Sequence, residues 1–129
     1  MTTFLGIDVG LNKTGIARSS GNLAQPLTVV REMDKSKLVE KIRAHARENQ
    51  TELVVVGMPE GKLAAVAKRL GMRLRELGFR VVFWDETLTT EDAIRLSIEA
   101  GVPRKKRREF EDAFAAAVML QSYIDAHRV

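Results

Sequence analysis

Four stretches of the 129-residue chain put carboxylates where local structure disfavours them. Asp8 stands near the end of a strand-like run, Leu5-Gly6-Ile7-Asp8-Val9-Gly10, although strands deplete aspartate. Its alternation partners are Gly6 and Phe4, and a glycine there leaves room beside the carboxylate for something to approach. Asp85 and Glu86 follow the apolar run Arg80-Val81-Val82-Phe83-Trp84. Asp112 leads an alanine-rich stretch in which Ala115 and Ala116 share its helical face and keep that face narrow. Glu60, in the loop after another apolar run, is the least distinctive of the set. Each acid also has a plainer role: ordering a turn for Asp8, solvating a strand end for Asp85 and Glu86, meeting a helix dipole for Asp112, and solvating a loop for Glu60. Acids at element ends suit hard divalent cations, and Mg²⁺ is usually held by one or two carboxylates plus substrate phosphates. Two such ions about 3.5–4 Å apart stabilise the attacking and leaving oxygens of an in-line displacement. Carboxylates from distant positions that converge at one sheet edge could build that site.

Other chemistries find little support. The chain has no cysteine, which excludes disulfides and thiolate metal sites. His45 falls in a charged helical pattern and His127 near the terminus, and both read as solvated side chains. Ser19 and Ser20 lack the context of a nucleophile elbow. Lys and Arg outnumber Asp and Glu by 21 to 17, a net charge of +4, which suits an anionic partner. Arg104, Lys105, Lys106, Arg107 and Arg108 form an unbroken basic run. Five adjacent cations repel one another and oppose a helix dipole if they open a helix, so an anion is expected to compensate them. Phosphates of a nucleic-acid backbone fit that need, with Lys13 in the first turn as a further contact. The N-terminus has no basic segment followed by an apolar run, and apolar runs such as Leu53 to Val56 are too short to span a bilayer. The expectation is a cytoplasmic protein with no membrane partner.

The elements that must position these residues follow from periodicity. Thr3 to Val9 predicts a strand, Gly10 to Lys13 a turn, and Thr14 to Arg18 its hairpin partner. Ser19 to Gln25 is a polar connection and Pro26 to Arg31 a third strand. Leu38, Ile42 and Ala46 give Lys37 to Asn49 a helical period. Leu53 to Val56 is continuously apolar, as expected of a strand covered on both faces. Leu63 to Leu77 predicts a helix closed by Gly78, and Phe79 to Trp84 another strand. Thr89 or Thr90 caps a helix that Gly101 ends, and Arg108 to His127 forms the last helix. The order implies one α/β domain over residues 1–129, a mixed sheet with helices on its faces.

The motifs together resemble the YqgF/RuvX family. Gly6-Ile7-Asp8-Val9-Gly10 followed by Lys13-Thr14-Gly15-Ile16-Ala17 is similar to the family's opening hairpin. Val55-Val56-Gly57-Met58-Pro59 resembles its Val-Gly-Leu-Pro strand end, and Asp85-Glu86-Thr87-Leu88-Thr89-Thr90 its Asp-Glu-Arg-Leu-Thr block. Asp112-Ala113-Phe114-Ala115-Ala116-Ala117 with Leu120-Gln121-Ser122-Tyr123 is similar to its final helix. Four motifs in family order span nearly the whole chain. The resemblance implies a ribonuclease-H-like fold with a mixed five-stranded sheet flanked by helices. It implies a nuclease using Mg²⁺ or Mn²⁺ at a two-metal site, acting on precursor 16S ribosomal RNA at its 5′ end. The alternative it carries is a Holliday-junction resolvase acting on branched DNA, or a nuclease of single-stranded DNA. Asp8, Glu86 and Asp112 match the family's catalytic, metal-binding acids, with Asp85 the second choice for the middle position. Two departures stand out: Thr87 replaces the Arg of the Asp-Glu-Arg block, and Glu60-Gly61-Lys62 is shorter than the family's loop.

Junction resolution calls for a two-fold dimer with two sites, and the sequence leaves monomer and dimer both open. A binding protein without catalysis would gain nothing from three acids beside a phosphate backbone. An ATP-dependent phosphotransferase, which the opening hairpin also suggests, needs two such halves and a longer chain.

Overall fold

The computed structural model describes residues 2–85, 101 and 103–127. In chain order these form β1 (Thr3–Val9), β2 (Lys13–Ser20), β3 (Gln25–Arg31), α1 (Lys35–Glu48), β4 (Leu53–Met58), α2 (Lys62–Glu76), β5 (Val81–Asp85), α3 (Arg104–Glu109) and α4 (Glu111–Ala126). The strands make one five-stranded sheet in the order β3-β2-β1-β4-β5. Short turns join β1, β2 and β3, so those pairs are antiparallel. Helices α1 and α2 carry the chain back to the start of β4 and β5, so β1, β4 and β5 run parallel. The mixed sheet expected from the sequence is therefore present. Pro26, which has no N–H for a ladder, is accommodated on the edge strand β3, next to a shift of register at Ile16/Ala17.

Alternation divides the core into two layers. Leu5, Ile7 and Val9 of β1, with Ile16, Val54 and Val56, pack against Leu38 and Ile42 of α1 and Leu70 and Leu74 of α2. The intervening residues face α4, where Ala17 and Val55 meet Ala116, Met119, Leu120 and Ile124. Val54, Val55 and Val56 have no exposed surface, which is why β4 reads as an unbroken apolar run.

Local chemistry moves several boundaries. Helix α1 starts earlier than Lys37 because the Asp34 side chain accepts from the N–H groups of Ser36 and Lys37, at 2.9 and 3.1 Å. Gly78 adopts φ +97° after α2, as a C-terminal glycine should, and β5 begins two residues later than expected, at Val81. The final helix is not continuous from Arg108. Phe110, at φ −112° and ψ 16°, leaves helical geometry and separates α3 from α4. The corner lets α4 lie along the sheet while Arg104, Lys105 and Lys106 remain in solvent. His127 is not simply solvated: its ring stacks on Tyr123 with centroids 4.1 Å apart, and Trp84 meets Tyr123 edge-on at 5.4 Å. His45 is half-buried, and its carbonyl accepts from Asn49. The helix expected after Thr89 and Thr90 lies outside the described residues. No helix among the described residues is long and apolar enough to cross a membrane.

Candidate active site

Because β1, β4 and β5 are parallel, their C-terminal ends lie together, joined there by the β1–β2 turn and the end of β3. Asp8 is the penultimate residue of β1 and partly buried at this end. It alternates with Phe4 and Gly6, so its side chain belongs to the α4 face of the sheet. Its cross-strand partner on β2 is Gly15. A Cβ built on Gly15 would stand 1.8 Å from the carbonyl oxygen of Asp112. The first turn of α4 thus lies directly on the strand residue paired with Asp8, where opposed Cα atoms are about 4.5–5.5 Å apart. The backbone of Asp112 and the strand position of Asp8, 104 positions apart in the sequence, are thus brought to one end of one face.

Further along α4 the contact continues. A Cβ on Gly6 would lie 2.8 Å from the Leu120 Cβ and 3.3 Å from the Ala116 carbonyl oxygen. The space that Gly6 leaves is therefore taken by the helix and not by a ligand. Asp112, Ala116 and Leu120 recur every four residues, so this line of α4 runs along β1 and β2. The signal for Gly15 was present in the sequence, since a glycine inside a strand often marks close backbone approach.

Asp85, the last residue of β5, pairs with Met58 and alternates with Val81 and Phe83. Those two pack in the α1–α2 layer, whereas Trp84 faces α4 and its Nε1–H donates to Ser122 Oγ at 3.2 Å. Strand parity therefore puts Asp85 on the face opposite Asp8. Glu86 and Thr87 lie outside the described residues. Glu60 is exposed in the turn between β4 and α2, at the same end of the sheet. Among the described residues, no group of three His, Asp or Glu side chains is gathered closely enough to hold a metal ion.

The cations fall into two sets. Lys13 opens β2, is exposed, and shares a face with Gly15 and Asp8. Its partner on β3 is Arg31, also exposed, which sequence reading missed because only the register brings it beside Lys13. The basic run forms α3: Arg104, Lys105 and Lys106 are exposed, and Arg107 and Arg108 belong to the same helix, which leads through Phe110 to Asp112.

With this geometry in view, the comparisons with known proteins are decisive. The model of the RuvX family, described as Holliday junction resolvase, matches residues 2–126. The chain belongs to the RuvX family. A relative in Geobacillus thermodenitrificans, provisionally named a pre-16S rRNA nuclease, is 40% identical over 135 aligned positions, covering 96% of this chain and 98% of the relative. Among solved structures, the Fowlpox virus resolvase in complex with its substrate Holliday junction DNA superposes with a TM-score of 0.70. That likeness covers 97% of this chain and 98% of the viral one at 9% identity. Thermus thermophilus RuvC, in complex with a Holliday junction substrate, gives 0.58 at 18% identity, covering 98% and 97%. The fold expected from the RuvX resemblance, a ribonuclease-H-like mixed sheet, is thus the observed one, and the chain is a nuclease of that family.

Proposed function

We propose that the chain hydrolyses phosphodiester bonds in precursor 16S ribosomal RNA, at or near its 5′ end, with divalent cations held by Asp8, Asp112 and Glu86. The observation that carries this reading is the seating of the Asp112 turn on Gly15, the strand partner of Asp8. The donor chemistry fits a hard cation: both residues offer carboxylate oxygens, Asp8 is partly buried, and the backbone around them is compact because it is built on glycine. Mg²⁺ or Mn²⁺, when bound, would polarise the scissile phosphate and lower the pKa of a water nucleophile. Glu86 is chosen over Asp85 on two grounds: its place in the family motif, and the parity of β5, which turns Asp85 away from Asp8. Lys13 and Arg31 stand on the same face, on the adjoining strands β2 and β3, suited to holding phosphates on that side of the cut. The exposed cations of α3 extend that track beyond the corner at Phe110.

Precursor RNA is preferred as substrate because the relatives matched over nearly their full length carry that name. A second reading, cleavage of branched DNA, is favoured by the description of the family model. The deciding experiment incubates the pure protein with Mg²⁺ or Mn²⁺ and three equimolar substrates: the 5′ precursor segment of 16S RNA, single-stranded DNA of the same sequence, and a four-way DNA junction. The RNA is expected to be cut fastest. Symmetric cuts in the junction with the RNA left intact would replace the first reading by the second.

A further inference from the structure

Of the two strand glycines under α4, Gly15, the partner of Asp8, lies nearer the helix backbone than Gly6 does. A methyl group at Gly15 would meet the Asp112 carbonyl oxygen at 1.8 Å and carbon at 2.2 Å, and the Ala113 nitrogen at 2.8 Å. All three are backbone atoms, so no side-chain rotation relieves the clash. At Gly6 the nearest atom is the Leu120 Cβ at 2.8 Å, and the backbone is no nearer than 3.3 Å. Asp112 is partly buried at this contact, and its neighbour Ala113 is fully buried against the sheet.

We infer that Gly15 is a positioning residue, which by lacking a side chain sets how far the Asp112 carboxylate stands from Asp8 and so tunes the affinity of the pair for a divalent cation. The inference rests on the reading of Asp8 and Asp112 as metal-holding acids. Gly15 touches neither metal nor substrate and acts through the height of the first turn of α4. An alanine there forces that turn back from 1.8 Å to the 3.4 Å of ordinary contact, a retreat of about 1.6 Å. Displacements of about 1 Å at a reacting centre cost roughly a hundred-fold in rate. Removing groups that orient metal ligands costs roughly 10–100-fold in metal affinity. The same magnitude suggests a repair. Glutamate is longer than aspartate by one carbon–carbon bond, about 1.5 Å, so Asp112→Glu should restore the reach that Gly15→Ala removes.

The experiment measures Mn²⁺ binding to the whole chain by calorimetry, without substrate, with circular dichroism and thermal melting to establish folding. Gly15→Ala is expected to bind Mn²⁺ roughly 10–100-fold more weakly, and Gly15→Ala with Asp112→Glu to recover most of that loss. Gly6→Ala, which pushes on the same helix away from Asp112, should lower the melting temperature yet keep affinity within about three-fold, far below that loss. Native affinity in folded Gly15→Ala overturns the inference, as does a loss that the longer acid fails to recover. If Gly15→Ala does not fold, Asp112→Glu on the native background decides. A turn held this close makes the longer acid overshoot and weakens binding about ten-fold or more, whereas unchanged affinity overturns the inference. Asp112→Asn separates the two readings: native Mn²⁺ affinity in that variant removes the metal site itself, while its loss beside an unaffected Gly15→Ala removes only the role of Gly15.

Discussion

At the scale of the residue, the proposed site requires carboxylates to be brought together against their mutual repulsion. Asp8 is fixed by the central strand of the sheet, and Asp112 by a helix that lies on the glycine paired with it. Lys13 and Arg31 stand exposed on the same face of the sheet. Asp112→Asn should leave the helix intact, since no side-chain cap at the start of α4 depends on it, while cleavage falls by about a hundred-fold or more. Comparing turnover at matched far-ultraviolet circular dichroism checks this, and activity near native would remove Asp112 from the site. Asp8 and Asp112 stand out in the sequence as acids in awkward places, and the role proposed for them comes from the family resemblance. The part played by Gly15 was not, because a glycine in a strand announces an approach without saying what approaches. The choice between Asp85 and Glu86 was closed to sequence reading for a related reason. Parity counts only while a strand continues, and β5 turned out to begin at Val81 and to reach Asp85.

At the scale of the element, two short pieces of local chemistry matter. Asp34 caps α1 through two backbone N–H groups, and α1 covers the face away from the carboxylates. Asp34→Ala should therefore cost about 1 kcal/mol of stability, with turnover per folded molecule unchanged. Urea unfolding beside an activity assay tests it, and a loss of turnover without a loss of stability would contradict the separation of the two faces. The break at Phe110 bears on the basic run. The sequence suggested one helix from Arg108, because hydrophobic period alone does not register a corner where helical phase is lost for a single residue. Lys105 and Lys106 are exposed on α3, ahead of the break at Phe110. Replacing both with Ala should flatten the slope of log affinity against log salt by about one to two units, at about 0.7 per phosphate contact on a single strand. Affinity should fall for all sequences alike, and the rate at saturating substrate should change less. An unchanged salt slope would make α3 a solvated helix with no part in binding.

At the scale of the whole molecule, the fold divides its labour between two faces and two ends. The α1–α2 face holds the larger apolar cluster and carries stability. The α4 face is built on small residues, Gly6, Gly15, Ala17 and Ala116, so that the helix can lie close on the strands. The C-terminal end of the parallel strands gathers Asp8, the first turn of α4, Lys13 and Arg31, while a net charge of +4 draws an anionic polymer toward it. This layering was legible in the sequence, since strand and helix periods differ and β4 announced a doubly covered strand. What was not legible is where the helix pressed hardest, because that depends on the twist of the sheet and on backbone contacts that leave no pattern in residue type. The central claim is that carboxylates on the α4 face hold the divalent cation used to cut a nucleic-acid backbone. Its most direct test is the Mg²⁺- or Mn²⁺-dependent cleavage rate of Asp8→Asn on precursor 16S RNA, beside the unaltered protein at equal folded concentration. The account predicts an intact fold and a rate lowered roughly a hundred-fold or more, equivalent to several kcal/mol in the barrier; a folded Asp8→Asn protein that cuts at nearly the native rate would contradict it.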